Sequence, residues 1–209
     1  NYIVVSNANA VAPANCSTST LAYCCYYGIK TVVFNSINNT TLDASEGYQD
    51  FSCEHQTYVN VGYSYPITII TGSNNPQDTK VWIDLDNNGV FDNITELFLE
   101  DLNGYNPTGS ITIPSNVVLS TPLRMRISSD EVGNNFNACT SMNRGQTEDY
   151  AIILEQDTTS PLSNFSSNSN TVCVGSNINF TDASLGYPSS WIWDFGDGNT
   201  DTTQNPTHI

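Results

Sequence analysis

VWIDLDNNGVFD, residues 81–92, places three oxygen-bearing side chains, Asp84, Asp86 and Asn88, at alternate positions and follows them with Gly89. A hard divalent cation the size of calcium takes about six to eight oxygens at roughly 2.3–2.6 Å, and a loop wraps it by turning every second residue inward. Gly in the sixth place permits the sharp turn, the seventh residue offers its backbone carbonyl, and the ninth binds directly or through water. Val90 and Asp92 hold those last two places.

The twelfth place, where an EF-hand has its bidentate Glu, is Thr95, and Glu96 comes one place late. The flanks, residues 80–83 and 97–99, are short, β-branched or apolar, so the stretch reads as a calcium loop strung between two strands. A plain acidic turn is the competing reading, since Asp, Asn and Gly fill turns. Three spaced side-chain oxygens before the Gly favour the metal. The candidate calcium ligands are Asp84, Asp86, Asn88, Val90, Asp92 and Glu96.

Outward from the loop the pattern stays β. Residues 2–5, 30–34, 57–61, 67–71, 97–99, 110–113, 123–127 and 149–154 form short runs rich in β-branched residues, separated by turn-prone segments such as 35–47. Residues 6–15, rich in Ala and Asn, read as a linker. Helical periodicity is nowhere sustained, and strands at this spacing argue an all-β fold, a β-sandwich. Gln156-Asp157-Thr158-Thr159-Ser160-Pro161 marks a boundary, after which residues 172–174, 177–180 and 191–194 restart a strand pattern.

The 209 residues carry a formal net charge of −16, with 5 Lys and Arg against 21 Asp and Glu. Such a surface repels phosphate backbones and anionic lipid, which argues against nucleic-acid partners, and no apolar run approaches the roughly 20 residues of a membrane helix. The 6 Cys include no zinc-like C-x-x-C pair. In a turn-rich chain they favour disulfides in an oxidising compartment. The chain, opening in NYIVV, reads as a segment of a longer product.

Five segments in order, Tyr23-Cys24, Gly47-Tyr48-Gln49-Asp50, VWIDLDNNGVFD, Arg124-Met125-Arg126 and Gly145-Gln146-Thr147-Glu148-Asp149-Tyr150, make residues 23–155 resemble the GEVED domain of large secreted bacterial proteins. Gln146 and Thr147 depart from its name motif. Residues 163–209 resemble a PKD domain, an immunoglobulin-like sandwich, through Cys173-x-Gly175, Asn179-Phe180, Trp191-Ile192-Trp193-Asp194-Phe195-Gly196-Asp197-Gly198 and Asn205-Pro206-Thr207-His208. That family continues into a further Tyr and a last strand, so the resemblance implies an incomplete sandwich with an open edge. Residues 1–5 resemble such a closing strand, left from a preceding module or donated to a neighbour. The expected domains are therefore 1–15, strand and linker; 16–156, a calcium-binding GEVED-like sandwich; 157–162, linker; and 163–209, the PKD-like unit.

On this arrangement Cys16 belongs to a preceding module and Cys173 awaits a partner elsewhere, leaving Cys24, Cys25, Cys53 and Cys139. Adjacent Cys24 and Cys25 make poor partners, and the expected bridges are Cys24 to Cys139 and Cys25 to Cys53, one of three connectivities.

Glu148 and Asp149 open the last strand of the first domain and have two readings. They either pair with Arg124, Arg126 and Arg144, or complete the calcium sphere. Catalysis is not indicated. Asp84 and Asp86 converge on one ion and do not flank a scissile bond, while His55 and His208 fall in different modules with no nucleophile or zinc motif around them. Trp82, Trp191 and Trp193 are candidates for a sugar-stacking platform. Asp157-Thr158-Thr159 and Asp201-Thr202-Thr203 resemble a bacterial O-glycosylation site, with Thr158 and Thr202 as acceptors.

The resemblances imply a non-catalytic structural or adhesive part of a cell-surface protein exported from a Gram-negative bacterium, plausibly by the type IX pathway, stabilised by calcium and disulfides in a stalk or fibre. Its partners would be other modules or copies of the same protein, surface glycans or proteins. The alternatives are accessory domains of a secreted peptidase or other hydrolase, and a carbohydrate-binding module.

Overall fold

The structure is a computed structural model and describes residues 11–41, 46–72, 74–157, 161–186 and 188–209. The strand expected at residues 2–5 lies outside them. The chain divides into two compact units, Asn1–Glu155 and Gln156–Ile209.

In the first unit, β1 (Ile29–Phe34), β2 (Ile37–Thr40), β3 (Tyr48–Asp50), β4 (Gln56–Asn60), β5 (Ser64–Thr71), β6 (Gln77–Ile83), β7 (Leu97–Gly104), β8 (Thr108–Thr112), β9 (Pro122–Glu131) and β10 (Gln146–Glu155) form two sheets. One runs β2-β1-β5-β8 and is antiparallel throughout. The other runs β3-β10-β9-β6-β7, with β4 sharing the β10 edge that β3 occupies. Both β3 and β4 pair with β10 in parallel. Strand β2 forms inside the stretch expected as a turn.

Alternation explains the second sheet. Successive side chains of a strand point to opposite faces, so Leu123, Met125 and Ile127 of β9 join Val81, Ile83, Tyr150 and Ile152 in the buried core between the sheets. Arg124 and Arg126 consequently fall on the outer face with Trp82 and Asp149. That face is covered rather than solvated: Trp82 packs with Phe91, Phe136, Ala138 and Met142, with Ala14 against them.

The covering segments are held by a disulfide that joins Cys16 to Cys139, 123 residues apart. This corrects two expectations. Cys16 belongs to this domain, and residues 12–15, expected as linker, pack onto it: Ala12 accepts hydrogen bonds from Arg124, and Asn15 donates to Gly89. Cys139, already taken, does not pair with Cys24. Cys24 bonds to its neighbour Cys25, so Cys25 does not pair with Cys53, which is an exposed free thiol together with Cys173. Sequence spacing does not reveal which Cys the folded backbone brings within bridging distance.

In the second unit, β11 (Phe165–Ser167), β12 (Ile178–Asp182) and β15 (Thr207–His208) form one sheet, and β13 (Trp193–Asp194) pairs with β14 (Thr200–Asp201) in another. Residues 172–174, expected as a strand, lie outside any strand and lead into a turn at 174–175. Phe165, Phe180, Trp193 and Phe195 make edge and tilted contacts, His208 stacks on Phe195 at 4.0 Å, and this cluster lines an open apolar trough. No helix among the described residues is long and apolar enough to cross a membrane.

Candidate metal centre

The loop departs from β6 where Asp84 still donates its amide to the Arg124 carbonyl, 3.0 Å away. The turn that follows is held by its own side chains. Asp84 accepts the amides of Asn88 and Gly89 on its two oxygens, at 3.1 and 2.8 Å, Asp86 accepts the Asn88 amide at 3.1 Å, and Asn88 accepts that of Val90. Gly89 has φ +80°, and a Cβ there would lie 2.7 Å from the Pro13 carbonyl, so this position takes Gly on both counts. Asn15 then pins the loop through the carbonyls of Asn88 and Gly89.

Glu96 arrives by a second turn. Asp92 turns its carboxylate onto the amides of Ile94 and Thr95, the Glu96 amide closes onto the Asp92 carbonyl, and the Glu96 carbonyl accepts the Ile83 amide as β7 begins. This swings the Glu96 carboxylate back over the loop, where it accepts the amides of Leu85 and Asp92 at 2.7 and 2.8 Å. Carboxylate oxygens of Asp84, Asp86 and Glu96 consequently lie within 4.8 Å of one another. Asp84 and Glu96 are buried, and burial raises both carboxyls from their ordinary values, with the Asp86 charge adding to it. Among the described residues no Lys or Arg forms an ion pair with any of the three.

The structure therefore groups Asp84, Asp86 and Glu96 of the expected ligands. Asn88 stays attached to Asp86 through its side-chain amide, 2.7 Å. The Asp92 carboxylate is committed to its turn, and its amide partners on Ile94 and Thr95 hold its pKa down. The donor set is all oxygen, which suits a hard cation such as calcium. Calcium bound there would be held by the carboxylates of Asp84, Asp86 and Glu96, and would supply the positive charge that the buried pair lacks.

Glu148 and Asp149 do not join this group, because adjacent strand residues face opposite sides of the sheet. Asp149, fully buried on the outer face, takes a two-pronged contact from Arg126 at 2.8 and 2.7 Å, Arg124 Nη1 at 2.7 Å and the Tyr48 hydroxyl at 2.8 Å. Asp50 also accepts from Arg124, at 3.1 Å. The Arg126 guanidinium lies 4.8 Å from the Phe91 ring centre and 5.7 Å from that of Tyr48. Burial and the Asp149 charge push the Tyr48 hydroxyl well above its usual pKa. Arg144, expected in this cluster, pairs instead with Glu131. Glu148, on the core face, accepts from Gln146 at 2.9 Å and from the Tyr150 hydroxyl at 2.6 Å, and burial raises its pKa to about 7.

The parts played by Tyr48 and Asp50 were missed from sequence. Their signal was present in Gly47-Tyr48-Gln49-Asp50, which β3 delivers beside β10. Trp82 cannot be a sugar platform: it is fully buried, with Nε1 donating to Asn93. Trp191 and Trp193 are half-buried in the second unit, where Trp193 donates to the Thr203 carbonyl. Of the glycosylation candidates, Thr202 is exposed at the end of β14 and Thr158 lies outside the described residues.

Comparison with protein-family models matches residues 78–153 to the GEVED domain and residues 158–209 to the PKD domain. No curated protein and no solved structure matches the chain. The first match runs from the second residue of β6 to two residues short of the end of β10, and so includes the acidic loop, both arginines and Asp149. Both are typically non-catalytic accessory domains, and PKD domains generally occur in extracellular proteins.

Proposed function

We propose that this GEVED–PKD chain is a non-catalytic structural and adhesive part of a larger bacterial surface protein, with calcium clamping the first unit. The observation that carries this reading is the convergence of Asp84, Asp86 and Glu96, two of them buried, with no paired cation among the described residues. Carboxylates held so close repel one another, and a divalent ion converts that repulsion into a tie between the β6 end, the loop and the start of β7. The Cys16–Cys139 bridge closes the same outer face, and a metal clamp plus a disulfide suits a module that carries load outside the cell. The strongly negative surface favours a calcium-rich medium. The family resemblance supports export from a Gram-negative bacterium by the type IX pathway into a stalk or fibre, with neighbouring modules or further copies as partners.

The test is thermal unfolding of the chain after chelation, with and without 1 mM calcium, beside Asp84→Ala/Asp86→Ala. At free calcium about a hundred times Kd, linkage gives about 2.7 kcal/mol, on the order of 5–11 °C for a domain of this size. A rise of that order in the wild type alone is expected. Equal behaviour of the two proteins would reduce the loop to an acidic turn.

A further inference from the structure

Residues 20–27 contain Leu21, Tyr23, Cys24, Cys25, Tyr26 and Tyr27, a run that neither the metal centre nor the buried arginines explain. The segment starts tied to the domain: Thr20 Oγ1 donates to the Gly145 carbonyl, and the amides of Leu21 and Ala22 donate to the carbonyls of Met142 and Asn143. It then turns through Cys25 at φ 71° and Tyr26 at φ 61°. Side-chain-bearing residues in the left-handed region are strained, and two in succession persist only where surroundings impose them.

Here the surroundings are specific. Cys24 is bonded to Cys25, Asn75 Nδ2 donates to the Cys25 carbonyl at 2.9 Å, and Gly72 approaches so closely that a Cβ on it would overlap the Tyr26 carbonyl oxygen. What this clamped turn presents to solvent is apolar and aromatic. Leu21 is 70% exposed, Tyr23 63% and Tyr26 54%.

Of the five cations, Lys80, Arg124 and Arg126 are buried. The two that keep contact with solvent flank this turn: Lys30 Nζ lies 5.9 Å from the Tyr26 ring centre, and Arg144 Nη1 lies 3.9 Å from Cys25 Sγ. Arg144 spends its Nε on Glu131, and its Nη1 faces the Cys25 sulfur. The two accessible Lys and Arg residues of a chain of net charge −16 thus lie beside the turn that exposes Tyr23 and Tyr26.

We propose that this turn is a binding platform for an acidic polysaccharide, with Tyr23 and Tyr26 stacking on pyranose faces and Lys30 and Arg144 receiving uronate carboxylates. Flat rings with a polar tip suit a sugar, which has an apolar face and a hydroxylated rim. A guanidinium beside the stack supplies a charged donor to a carboxylate. An acidic peptide would dock most readily along a free strand edge, and here the Leu21 and Ala22 amides are already engaged. The inference rests on the adhesive reading, to which it adds a ligand class, and it needs neither the fibre nor Trp82.

The test is calorimetric titration of the full chain with a short oligogalacturonate, its methyl ester and poly-glutamate, at low and moderate salt. Saturable binding of the oligogalacturonate alone is expected, weakened about tenfold in Tyr26→Ala, the scale of one lost stacking contact. Lys30→Gln and Arg144→Gln should each weaken it several-fold and flatten its salt dependence. Equal binding of poly-glutamate would make the turn a general anion site and overturn the proposal, as would binding indifferent to Tyr26→Ala. Each variant's calcium-dependent unfolding shift is recorded alongside. Loss of sugar binding with the shift intact supports the platform, whereas a wild type with the calcium shift and no sugar binding refutes the platform and leaves the clamped module standing.

Discussion

Asp149→Asn removes one charge and almost no volume, and its consequence follows from the groups left behind. The carboxylate satisfies both Arg126 Nε and Nη2, Arg124 Nη1 and the Tyr48 hydroxyl, in a site closed by the Cys16 and Phe91 segments. An Asn side chain keeps one acceptor and turns an N–H₂ toward donors. Arg124 retains Asp50 and the Ala12 carbonyl, but among the described residues Arg126 keeps as hydrogen-bond acceptors only the Ala138 carbonyl and, weakly, the Cys16 sulfur. Breaking a buried pair by removing one partner costs about 3–5 kcal/mol, which at about 2–4 °C per kcal/mol lowers Tm by roughly 6–20 °C. Scanning calorimetry of the full chain measures this on the first unit's transition, and urea unfolding with an unchanged slope confirms that stability rather than compactness has changed. A loss below about 1 kcal/mol, the size expected of an exposed pair, would refute the view that Asp149 holds the outer face.

Three further outcomes follow. The Cys16–Cys139 bridge spans 123 residues, and chain entropy alone makes Cys139→Ala cost about 5 kcal/mol, or roughly 10–20 °C in Tm; peptide mapping should find thiol label on Cys53 and Cys173 before reduction, and a Cys24–Cys139 peptide would contradict the pairing. Glu148 has its folded pKa raised from 4.5 to about 7, so the folded state binds its proton more tightly and this group's contribution falls as pH rises across that window, by about 3 kcal/mol at most. Glu148→Gln should flatten that fall, and an unaltered pH–stability profile would show that Glu148 ionises freely. Glu96→Gln keeps the amide acceptor for Leu85 while deleting a ligand charge, and should abolish most of the calcium-induced shift in unfolding temperature; a full shift would remove Glu96 from the site.

Local order was readable because it is set by short-range sterics. The alternation in Leu123-Arg124-Met125-Arg126-Ile127 places three residues on the core face and two on the outer face of β9. Asp84, Asp86, Asn88 and Gly89 likewise specify a turn whose oxygens face inward, because each short side chain can cap an amide two or more residues on. The pairing of buried Arg with the acidic strand was half legible: two of three arginines were assigned correctly, whereas Arg144 sits beyond the end of the ladder and reaches Glu131.

The remainder depended on surfaces that meet only in the folded chain. Glu96 appears one place too late for a calcium loop until the Asp92–Glu96 turn carries it back. Trp82, whose strand position suits core or rim, is settled as core only when Phe91, Phe136, Ala138 and Met142 pack over it. The partner of Cys139 is decided by which segment crosses the outer face, and β3 and β4 lie parallel to β10 because long connections, not hairpins, bring them there. Sequence by itself determined eight of the ten strands of the first unit, missing β2 and β3, together with the two faces of β9 and the acidic loop, since these follow from backbone geometry within a few residues. Tertiary structure decided the Cys16–Cys139 bridge, the third carboxylate and the buried arginine hub, since each joins groups between about ten and more than a hundred residues apart whose meeting depends on how the whole sandwich packs.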